Sequence, residues 1–240
     1  MTVRRLFLPP DRIAEDRARL TPEARHYVKD VLRLPPGATL ELFDGQGARW
    51  DARVEEGFEA LTLGSRRAAA AGGTAVWIVP ALAKGEKMDL VVQKATELGA
   101  ARVAAFEAAR SVVRLEADRA EERTRRWRRI AEEAARQCGR ADVPELAAPA
   151  PLAARLAEAP PGFGLVVFHG EGAVPLAALE PAPAGWIAIV GPEGGLTDDE
   201  VRACEAAGAR RGSLGPRVLR AETAAIAAVA LLQARFGDMG

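Results

Sequence analysis

The feature that most constrains the fold is a regular alternation of short apolar runs and helical patterns from Thr74 onward. The apolar runs have the length of strands and little polar alternation, as expected of strands buried on both faces; they are AVWIVPAL, RVAAFEA, GLVVFHG and GWIAIVG. The segments with helical periodicity are EKMDLVVQKATELGA, RAEERTRRWRRIAEEAARQ, TDDEVRACEAAGA and ETAAIAAVALLQARF. This alternation predicts an α/β domain with a mostly parallel sheet that helices cover on both faces.

Residues 1–68 follow a different pattern, in which short extended segments surround a single helix. The segments are RRLFLP, TLELFD, RWDARVEE and EALTLGS, and the turn DGQG between two of them is typical of a hairpin. Thr21 is a suitable N-cap for a helix whose first turn carries Pro22. We therefore predict a small β-barrel with one helix over residues 1–68, a linker at RRAAAAGGT, and the α/β domain over residues 74–240.

The composition disfavours several classes of protein. With 240 residues, of which 49% are hydrophobic, the chain can fill a core. Its apolar runs are too short to cross a bilayer and its N-terminus lacks a signal peptide, so we expect a cytoplasmic protein without a membrane partner. Cys138 and Cys204 make no disulfide framework, and His26 and His169 lie far apart, so no metal site is expected. The formal net charge is zero, so binding of nucleic acid must depend on local basic clusters.

The segment IVGPEGGLTDDE, from Ile189 to Glu200, is a glycine-rich turn between a buried strand and the start of a helix. Turns of this kind bind ligands in α/β proteins, because glycine lets the backbone approach a ligand closely. The glycine spacing fits neither the dinucleotide-binding nor the phosphate-loop motif. Thr197 and Glu200 match a capping box, and the two aspartates between them disfavour a phosphate. The turn therefore favours an uncharged or cationic ligand, the alternative being a plain tight turn with no ligand.

Two further strand ends carry glycines, in SLGPRVLRAETA (Ser213 to Ala224) and VVFHGEG (Val166 to Gly172). Turns that follow neighbouring parallel strands lie side by side at one edge of the sheet, so the three segments predict a shared ligand site. A nucleotide-binding enzyme of the Rossmann type is the rival interpretation. The glycine spacing and the aspartate pair disfavour it.

The segments GPEGGLTDDE and LGPRVLRAETAAIAA resemble the C-terminal signatures of the SPOUT class of S-adenosylmethionine-dependent RNA methyltransferases. More narrowly, KMDLVVQKATELGA, ARSVVR and RWRRIAEEAARQCGR are similar to segments of the bacterial 16S ribosomal RNA uridine-N3 methyltransferase family. The chain departs from that family at Ala109, where an acidic residue is usual. The resemblance covers nearly the whole chain. It implies a PUA-like RNA-binding β-barrel over residues 1–68 and a SPOUT α/β domain with a C-terminal trefoil knot over residues 74–240.

The resemblance also implies S-adenosylmethionine as the cofactor. This sulfonium compound carries no phosphate, which agrees with an acidic, self-capped helix after the glycine turn. The residues that the resemblance places at the cofactor site are His169, Gly170, Glu171, Gly191, Glu193, Gly195, Leu214, Gly215, Leu219, Arg220 and Thr223.

Methylation of uridine at N3 requires that the proton on this nitrogen leave. A carboxylate near N3 or a donor that stabilises negative charge on the carbonyl oxygens would serve. Arg220 is the first candidate for orienting or stabilising the uracil, because guanidinium is planar and permanently charged. Glu193 and Glu222 are the candidate bases. The alternatives are that Glu222 only complements a helix dipole and that Glu193 is a solvated loop residue.

Basic side chains form a candidate RNA-binding rim. Its members are Arg4, Arg5, Lys84, Lys87, Lys94, Arg110, Arg114, Arg136, Gln137 and Arg140. In the arginine-rich helix that precedes Arg140, Arg119, Arg123 and Arg126 share one face, which is also typical of a solvated helix paired with glutamates.

The last helical segment, ETAAIAAVALLQARF, is apolar on nearly every side, and such a helix must be buried. Because members of the resembled family are dimers, we expect part of this helix to lie in a homodimer interface. The expected substrate is 16S ribosomal RNA, either naked or within an assembled small subunit. The alternative function is that of a non-catalytic RNA-binding ribosome assembly factor.

Overall fold

The computed structural model describes residues 3–68, 73–111, 117–170 and 172–239. The chain divides into two compact units, which are Met1–Ala71 with Glu132–Val143, and Gly72–Ala131 with Pro144–Gly240. The division falls inside a long helix, α3 (Ala117–Cys138), whose last residues count with the first unit. The division into domains at residues 1–68 and 74–240, made from the sequence, stays a prediction.

The first unit contains one five-stranded sheet. Its strands are β1 (Arg5–Phe7), β2 (Arg17–Arg19), β3 (Thr39–Phe43), β4 (Ala48–Val54) and β5 (Ala60–Ala68). They lie in the order β1-β3-β4-β5-β2, with β1 parallel to β3 and the other pairs antiparallel. The sheet is a curled half-barrel, with β1 and β2 at its edges. The predicted hairpin joins β3 to β4, and the carboxylate of Asp44 holds its turn by accepting from the N–H groups of Gln46 and Ala48 at 2.7 and 3.0 Å.

One short helix packs on this sheet. Helix α1 (Pro22–His26) continues into a π-helical turn at Tyr27–Val31, and single 3₁₀ turns occur at Pro10–Arg12 and Glu56–Phe58. The predicted cap is confirmed, since Thr21 Oγ1 accepts from the N–H of Ala24 at 3.1 Å. Val28 packs with Leu42, Trp50 and Leu61 in the core of the unit.

The second unit contains a seven-stranded sheet in which every pair of named strands is parallel. Its strands are β6 (Ala75–Pro80), β7 (Arg102–Glu107), β8 (Glu145–Pro151), β9 (Phe163–Phe168), β10 (Val174–Pro175), β11 (Gly185–Val190) and β12 (Arg210–Ser213). They lie in the order β10-β12-β9-β11-β6-β7-β8. The prediction of a parallel α/β sheet is confirmed, and every residue of the central strand β11 is buried.

The other helices of this unit are α2 (Lys87–Glu97), α4 (Leu152–Ala157), α5 (Asp198–Ala206) and α6 (Ala221–Phe236), with a 3₁₀ turn at Leu176–Ala178. Helix α6 packs against α2, β6 and β11 through Ala225, Ala228, Val229 and Leu232. Leu231, on another side of α6, is 43% exposed. Within the described residues of one chain α6 is therefore only partly buried, and the expected homodimer interface stays a prediction.

No helix in the described part of the chain is long and apolar enough to cross a membrane. The trefoil knot implied by the resemblance stays a prediction.

Candidate functional site

A cavity of about 770 Å³ opens at the carboxyl ends of β9, β11 and β12 in the second unit. The turns that follow these three strands line it, together with the first residues of α6. This is where the glycine-bearing segments were expected to meet, because the ends of neighbouring parallel strands share one edge of the sheet.

Most residues predicted at the cofactor site line this cavity. They are His169, Gly170, Gly191, Glu193, Gly195, Leu214, Gly215 and Leu219. Arg220 and Thr223 are not among the described residues that line it, and Glu171 lies outside the described residues. Sequence reasoning missed further lining residues in the same turns, namely Phe168, Val190, Pro192, Leu196, Gly212, Ser213, Pro216, Arg217, Val218, Ala221 and Ala224. Their position next to the glycines was the available signal.

The glycines of this cavity serve two different purposes. A Cβ atom at Gly191 would lie 2.9 Å from the side chain of Leu196, so this glycine is required for packing. A Cβ atom at Gly170 or Gly215 would meet nothing within 4 Å, so the backbone there faces open space. Gly195 has a φ of +71°, a conformation that favours glycine. The backbone at Gly170 and Gly215 therefore leaves space for a ligand, and the N–H of Gly215 already donates to Ser213 Oγ at 3.1 Å.

The helix after the glycine turn is capped as predicted. Thr197 Oγ1 accepts from the N–H of Glu200 at 3.3 Å, and the Glu200 carboxylate accepts from the N–H of Thr197 at 2.8 Å. Because these groups satisfy each other, and because Asp198 and Asp199 follow, this helix start is a poor site for an anion.

A second, smaller cavity of about 320 Å³ lies at the same edge of the sheet. Its lining comes from the segments after β6, β7 and β11 and from the start of α6. Pro192, Glu193 and Ala221 line both cavities, so the turn after β11 is a shared wall between them. Lys84, Lys87 and Arg110 bring positive charge to the smaller cavity.

Lys87 connects the two candidate bases. Its Nζ contacts the carboxylate of Glu193 directly and lies 3.7 Å from Oε2 of Glu222. The hydrogen bond between Lys87 and Glu193 raises the pKa of Lys87 and lowers that of Glu193. The positive charge of Arg220 adds to the lowering of the Glu193 pKa and partly opposes the raising of the Lys87 pKa. Arg220 therefore lies close enough to act on the pair. Glu193 is consequently ionised at neutral pH.

Glu222 has a different environment from Glu193. It lies in the first turn of α6, and its side chain is 11% exposed. Its Oε2 atom is buried and accepts no hydrogen bond from any residue that the structure describes. Glu222 is not among the described residues that line either cavity, whereas Glu193 lines both. The sequence alone gave no reason to prefer Glu193 or Glu222 as the base. Their different positions relative to the cavities now distinguish them.

Two contacts tie the segment after β7 to the glycine turn. Arg110 Nη1 donates to the carbonyl of Gly194 at 2.9 Å, and the N–H of Ala109 donates to Oε1 of Glu200 at 2.8 Å. The segment is thereby held against the shared wall of the two cavities.

The residues of the predicted RNA-binding rim have varied surroundings. In the first unit, Arg5 pairs with Glu41 at 2.9 Å, Arg136 lies over the ring of Tyr27 at 4.1 Å, and Arg140 Nε donates to Asp142 at 3.2 Å. Gln137 is exposed. Arg4 lines an open groove of about 990 Å³ that also contains Arg67.

In the second unit, Lys94 pairs with Glu97 at 2.8 Å, while Lys84, Lys87 and Arg110 line the smaller cavity. Arg114 lies outside the described residues. The function of the rim stays a prediction. Over the ranges that the structure describes, no group of three or more His, Cys, Asp and Glu residues could hold a metal ion.

Comparison with known proteins identifies the family. Residues 72–233 match the RNA methyltransferase domain model, and residues 20–63 match the RNA methyltransferase PUA domain model. The ribosomal RNA small subunit methyltransferase E of Mycobacterium bovis is 36% identical over 222 residues, covering 88% of this chain and 84% of that protein. The protein of the same name from Bacillus subtilis is 39% identical over 166 residues, covering 65% of this chain and 64% of that protein.

Two solved structures share the whole fold. The ribosomal RNA small subunit methyltransferase E of Neisseria gonorrhoeae, bound to S-adenosylmethionine, superposes with a TM-score of 0.90 at 28% identity and covers 100% of both chains. A methyltransferase of Legionella pneumophila in complex with the same cofactor has a TM-score of 0.90 at 32% identity, covering 99% of this chain and 100% of that one. The chain therefore belongs to the ribosomal RNA small subunit methyltransferase E family of RNA methyltransferases.

Proposed function

We propose that this protein transfers a methyl group from S-adenosylmethionine to N3 of a specific uridine in 16S ribosomal RNA. Family membership supports the coarser function, an S-adenosylmethionine-dependent ribosomal RNA methyltransferase. The proposal of methylation at N3 rests on two adjoining cavities, one lined by glycine turns and the other by cations. Glu193 lies in the wall that they share.

The larger cavity fits the cofactor. The backbone at Gly170 and Gly215 leaves space for close approach of a ligand, and the side chains of Leu196, Leu214 and Leu219 supply apolar contact. The capping box and the acidic first turn of α5 disfavour a phosphate at this helix start, which agrees with a ligand that has none. When bound, S-adenosylmethionine supplies an electrophilic methyl group on a sulfonium sulfur.

The residues of this chain then have to make N3 of the uracil nucleophilic. Glu193 is the candidate proton acceptor, because it is the carboxylate in the wall that the cavities share and because Lys87 keeps it ionised. Arg220 is the candidate for stabilising negative charge on the uracil carbonyl oxygens, since its charge already acts on Glu193 and Lys87. Glu222 is placed to hold Lys87 in position.

Substrate binding and assembly complete the proposal. The basic rim tracks the phosphate backbone of the RNA, presented naked or within the small subunit. The protein acts in the cytoplasm. The exposed side of α6, which includes Leu231, is the part of that helix available to a second copy of the chain, consistent with a homodimer.

The test compares ribosomal RNA from a strain that lacks the gene with RNA from its parent, by mass spectrometry of nucleosides. We expect one 3-methyluridine to be absent, and to return when purified protein and S-adenosylmethionine are added to the deletion-strain RNA or subunits. If the methyl group is found on another atom, N3 of uridine is not the target and the proposed reaction is wrong. No binding of S-adenosylmethionine in a calorimetric titration would favour the non-catalytic assembly factor.

A further inference from the structure

We infer that the smaller cavity receives the uracil base of the target nucleotide after that base has left the RNA stack. The inference rests on the proposed function. It assigns a binding site to residues of three segments, those after β6, β7 and β11, and names the ligand as an unpaired pyrimidine base.

The position of the smaller cavity suits the base. In methyl transfer the acceptor atom must come to within about 3–3.5 Å of the methyl carbon and in line with the bond that breaks. The base must therefore occupy space that adjoins the cofactor cavity. The smaller cavity shares Pro192, Glu193 and Ala221 with it, and both open at the same edge of the sheet.

The size and surface of the smaller cavity also suit a single base. The smaller cavity has a volume of about 320 Å³, at the lower limit of the roughly 300–1,000 Å³ typical of ligand pockets. Ala81, Leu82, Ala83 and Pro192 give it apolar surface that suits the faces of a base. Enzymes that modify a base inside structured nucleic acid enclose that base alone in such a pocket.

The charge around the smaller cavity favours a uracil that has lost a proton. Uracil that has lost its N3 proton carries negative charge on its two carbonyl oxygens, and Lys84, Lys87 and Arg110 provide positive charge around the cavity. Two of these cations are held by the protein, Lys87 by Glu193 and Glu222, and Arg110 by the carbonyl of Gly194. The cavity therefore favours uracil over cytosine, because cytosine has no N3 proton whose loss would create an anion.

The reaction that this placement allows is balanced. The N3–CH₃ bond forms as the S–CH₃ bond breaks, the N3 proton passes to Glu193, and S-adenosylhomocysteine is released. The cations act by lowering the free energy of the uracil anion, so they should affect methyl transfer much more than cofactor affinity.

The experiment fills the cavity with one side chain. Ala83 lines it and is half-buried, so Ala83→Trp should occupy the space of the base without touching the cofactor cavity. Ala178→Trp is the matched control, because Ala178 is exposed and is not among the described residues that line either cavity. Both variants are compared with wild type by calorimetry with S-adenosylmethionine and by single-turnover methylation on saturating RNA. We expect Ala83→Trp to lose about 100-fold or more in rate with cofactor affinity unchanged, and the control to match wild type.

A second pair of variants tests the charge argument without filling the cavity. Lys84→Ala removes one cation of the lining, and Arg202→Ala removes an exposed cation that pairs with Asp199 on its own helix. If the cations stabilise the uracil anion, the pH at which the methylation rate reaches half its maximum rises in Lys84→Ala and stays unchanged in Arg202→Ala. If the pH dependence of the methylation rate is unchanged in both variants, Lys84 does not stabilise a uracil anion and the charge-based part of the inference is wrong.

Photocrosslinking separates this inference from the proposed function. In 16S ribosomal RNA that contains 4-thiouridine, we expect a crosslink to the peptide with residues 81–87, which Ala83→Trp removes. If wild-type protein forms this crosslink but methylates no uridine, the proposed function fails and the base site stands. If Ala83→Trp folds, binds RNA and methylates at the wild-type rate, the base site is wrong and the proposed function stands.

Discussion

The carboxylate of Glu200 accepts a hydrogen bond from the backbone N–H of Ala109 at 2.8 Å, although the two residues are 91 positions apart. The same side chain caps α5 through the N–H of Thr197. One carboxylate thus fixes both the start of α5 and the segment that carries Arg110, and these two elements flank the glycine turn. The backbone of Ala109, and not its side chain, makes the contact.

Glu200→Ala should destabilise the protein and weaken cofactor binding together. Loss of the cap and of the contact with Ala109 should cost about 1–2 kcal/mol in the free energy of unfolding. Cofactor affinity should fall by about tenfold, which is about 1.4 kcal/mol. Urea unfolding and calorimetry measure the two effects. Glu205→Ala is the control, since Glu205 lies on the same helix and pairs with Arg211 near the surface, and its loss should cost less than about 1 kcal/mol. Equal behaviour of the two variants would contradict the proposed role of Glu200.

Gly195→Val should abolish cofactor binding at a modest cost in stability. The φ of +71° at Gly195 strains any branched residue, by about 1–3 kcal/mol. Gly208→Val is a close control, because Gly208 has a φ of +91° and open space for a side chain but is not among the described residues that line the cavity. We expect similar losses of unfolding free energy in both variants and loss of S-adenosylmethionine binding only at position 195. Unimpaired binding by Gly195→Val would exclude this turn from the cofactor site.

The two carboxylates should differ in their effect on rate. Glu193→Gln should lower single-turnover methylation by about 100-fold or more, since it removes the candidate proton acceptor while keeping its shape. Glu222→Gln should have a smaller effect, because Glu222 only holds Lys87. The reverse order would transfer the role of base to Glu222.

The pH dependence of the wild-type rate follows from the Lys87–Glu193 contact. Lys87 lowers the pKa of Glu193 below its ordinary 4.5, so Glu193 stays ionised as pH falls through the neutral range. Any contribution of this pair to stability is present above that value and is lost as pH falls through the lowered pKa. A loss of rate between pH 8 and 6 in wild type therefore reflects a group other than Glu193, and Glu193→Gln should retain it.

Arg220→Ala should reduce the chemical rate by about 100-fold or more, on the scale of losing one preorganised donor. Its backbone is the N-cap of α6, and its carbonyl accepts from the N–H of Ala224 at 2.8 Å, so the substitution leaves the helix start in place. Arg220→Lys should fall short of wild type, because it keeps the charge but loses the planar pair of donors. A near-normal single-turnover rate for Arg220→Ala on saturating RNA would show that Arg220 positions or packs instead.

Arg136→Ala combined with Arg140→Ala should weaken RNA binding and reduce its dependence on salt concentration, since each lost phosphate contact lowers the slope by about one. Both side chains also have protein partners, Tyr27 and Asp142, so unfolding must be measured in parallel. An unchanged salt slope with lowered stability would make both arginines structural.

The sequence predicted those features that depend on neighbours along the chain. The caps at Thr21 and Thr197, the hairpin at Asp44 and the buried strands of the parallel sheet were all readable from local patterns. Strand β8, with sequence ELAAPAP, was missed because its prolines disfavour a strand; it lies at the edge of the sheet, where missing donors are tolerated.

Contacts between residues that are far apart in the chain could not be predicted from the sequence. Lys87 and Glu193 are 106 positions apart, and nothing in their spacing indicates an ion pair. Lys87 was therefore assigned only to the RNA-binding rim, although it lies at the first turn of α2 next to a strand end, which was the available signal. The side of α6 that faces the core was also not predicted, because an evenly apolar helix gives no periodicity to show it.

The shared wall between the two cavities has a consequence for anyone who wishes to redesign this enzyme. A substitution in the turn after β11 alters the surroundings of donor and acceptor at once, so a gain for one substrate is difficult to separate from a loss for the other. The segments after β6 and β7 line the smaller cavity, and none of their described residues lines the larger one. A library that aims to change the accepted nucleotide should therefore vary residues 81–84 and 110–111 and leave residues 191–196 untouched.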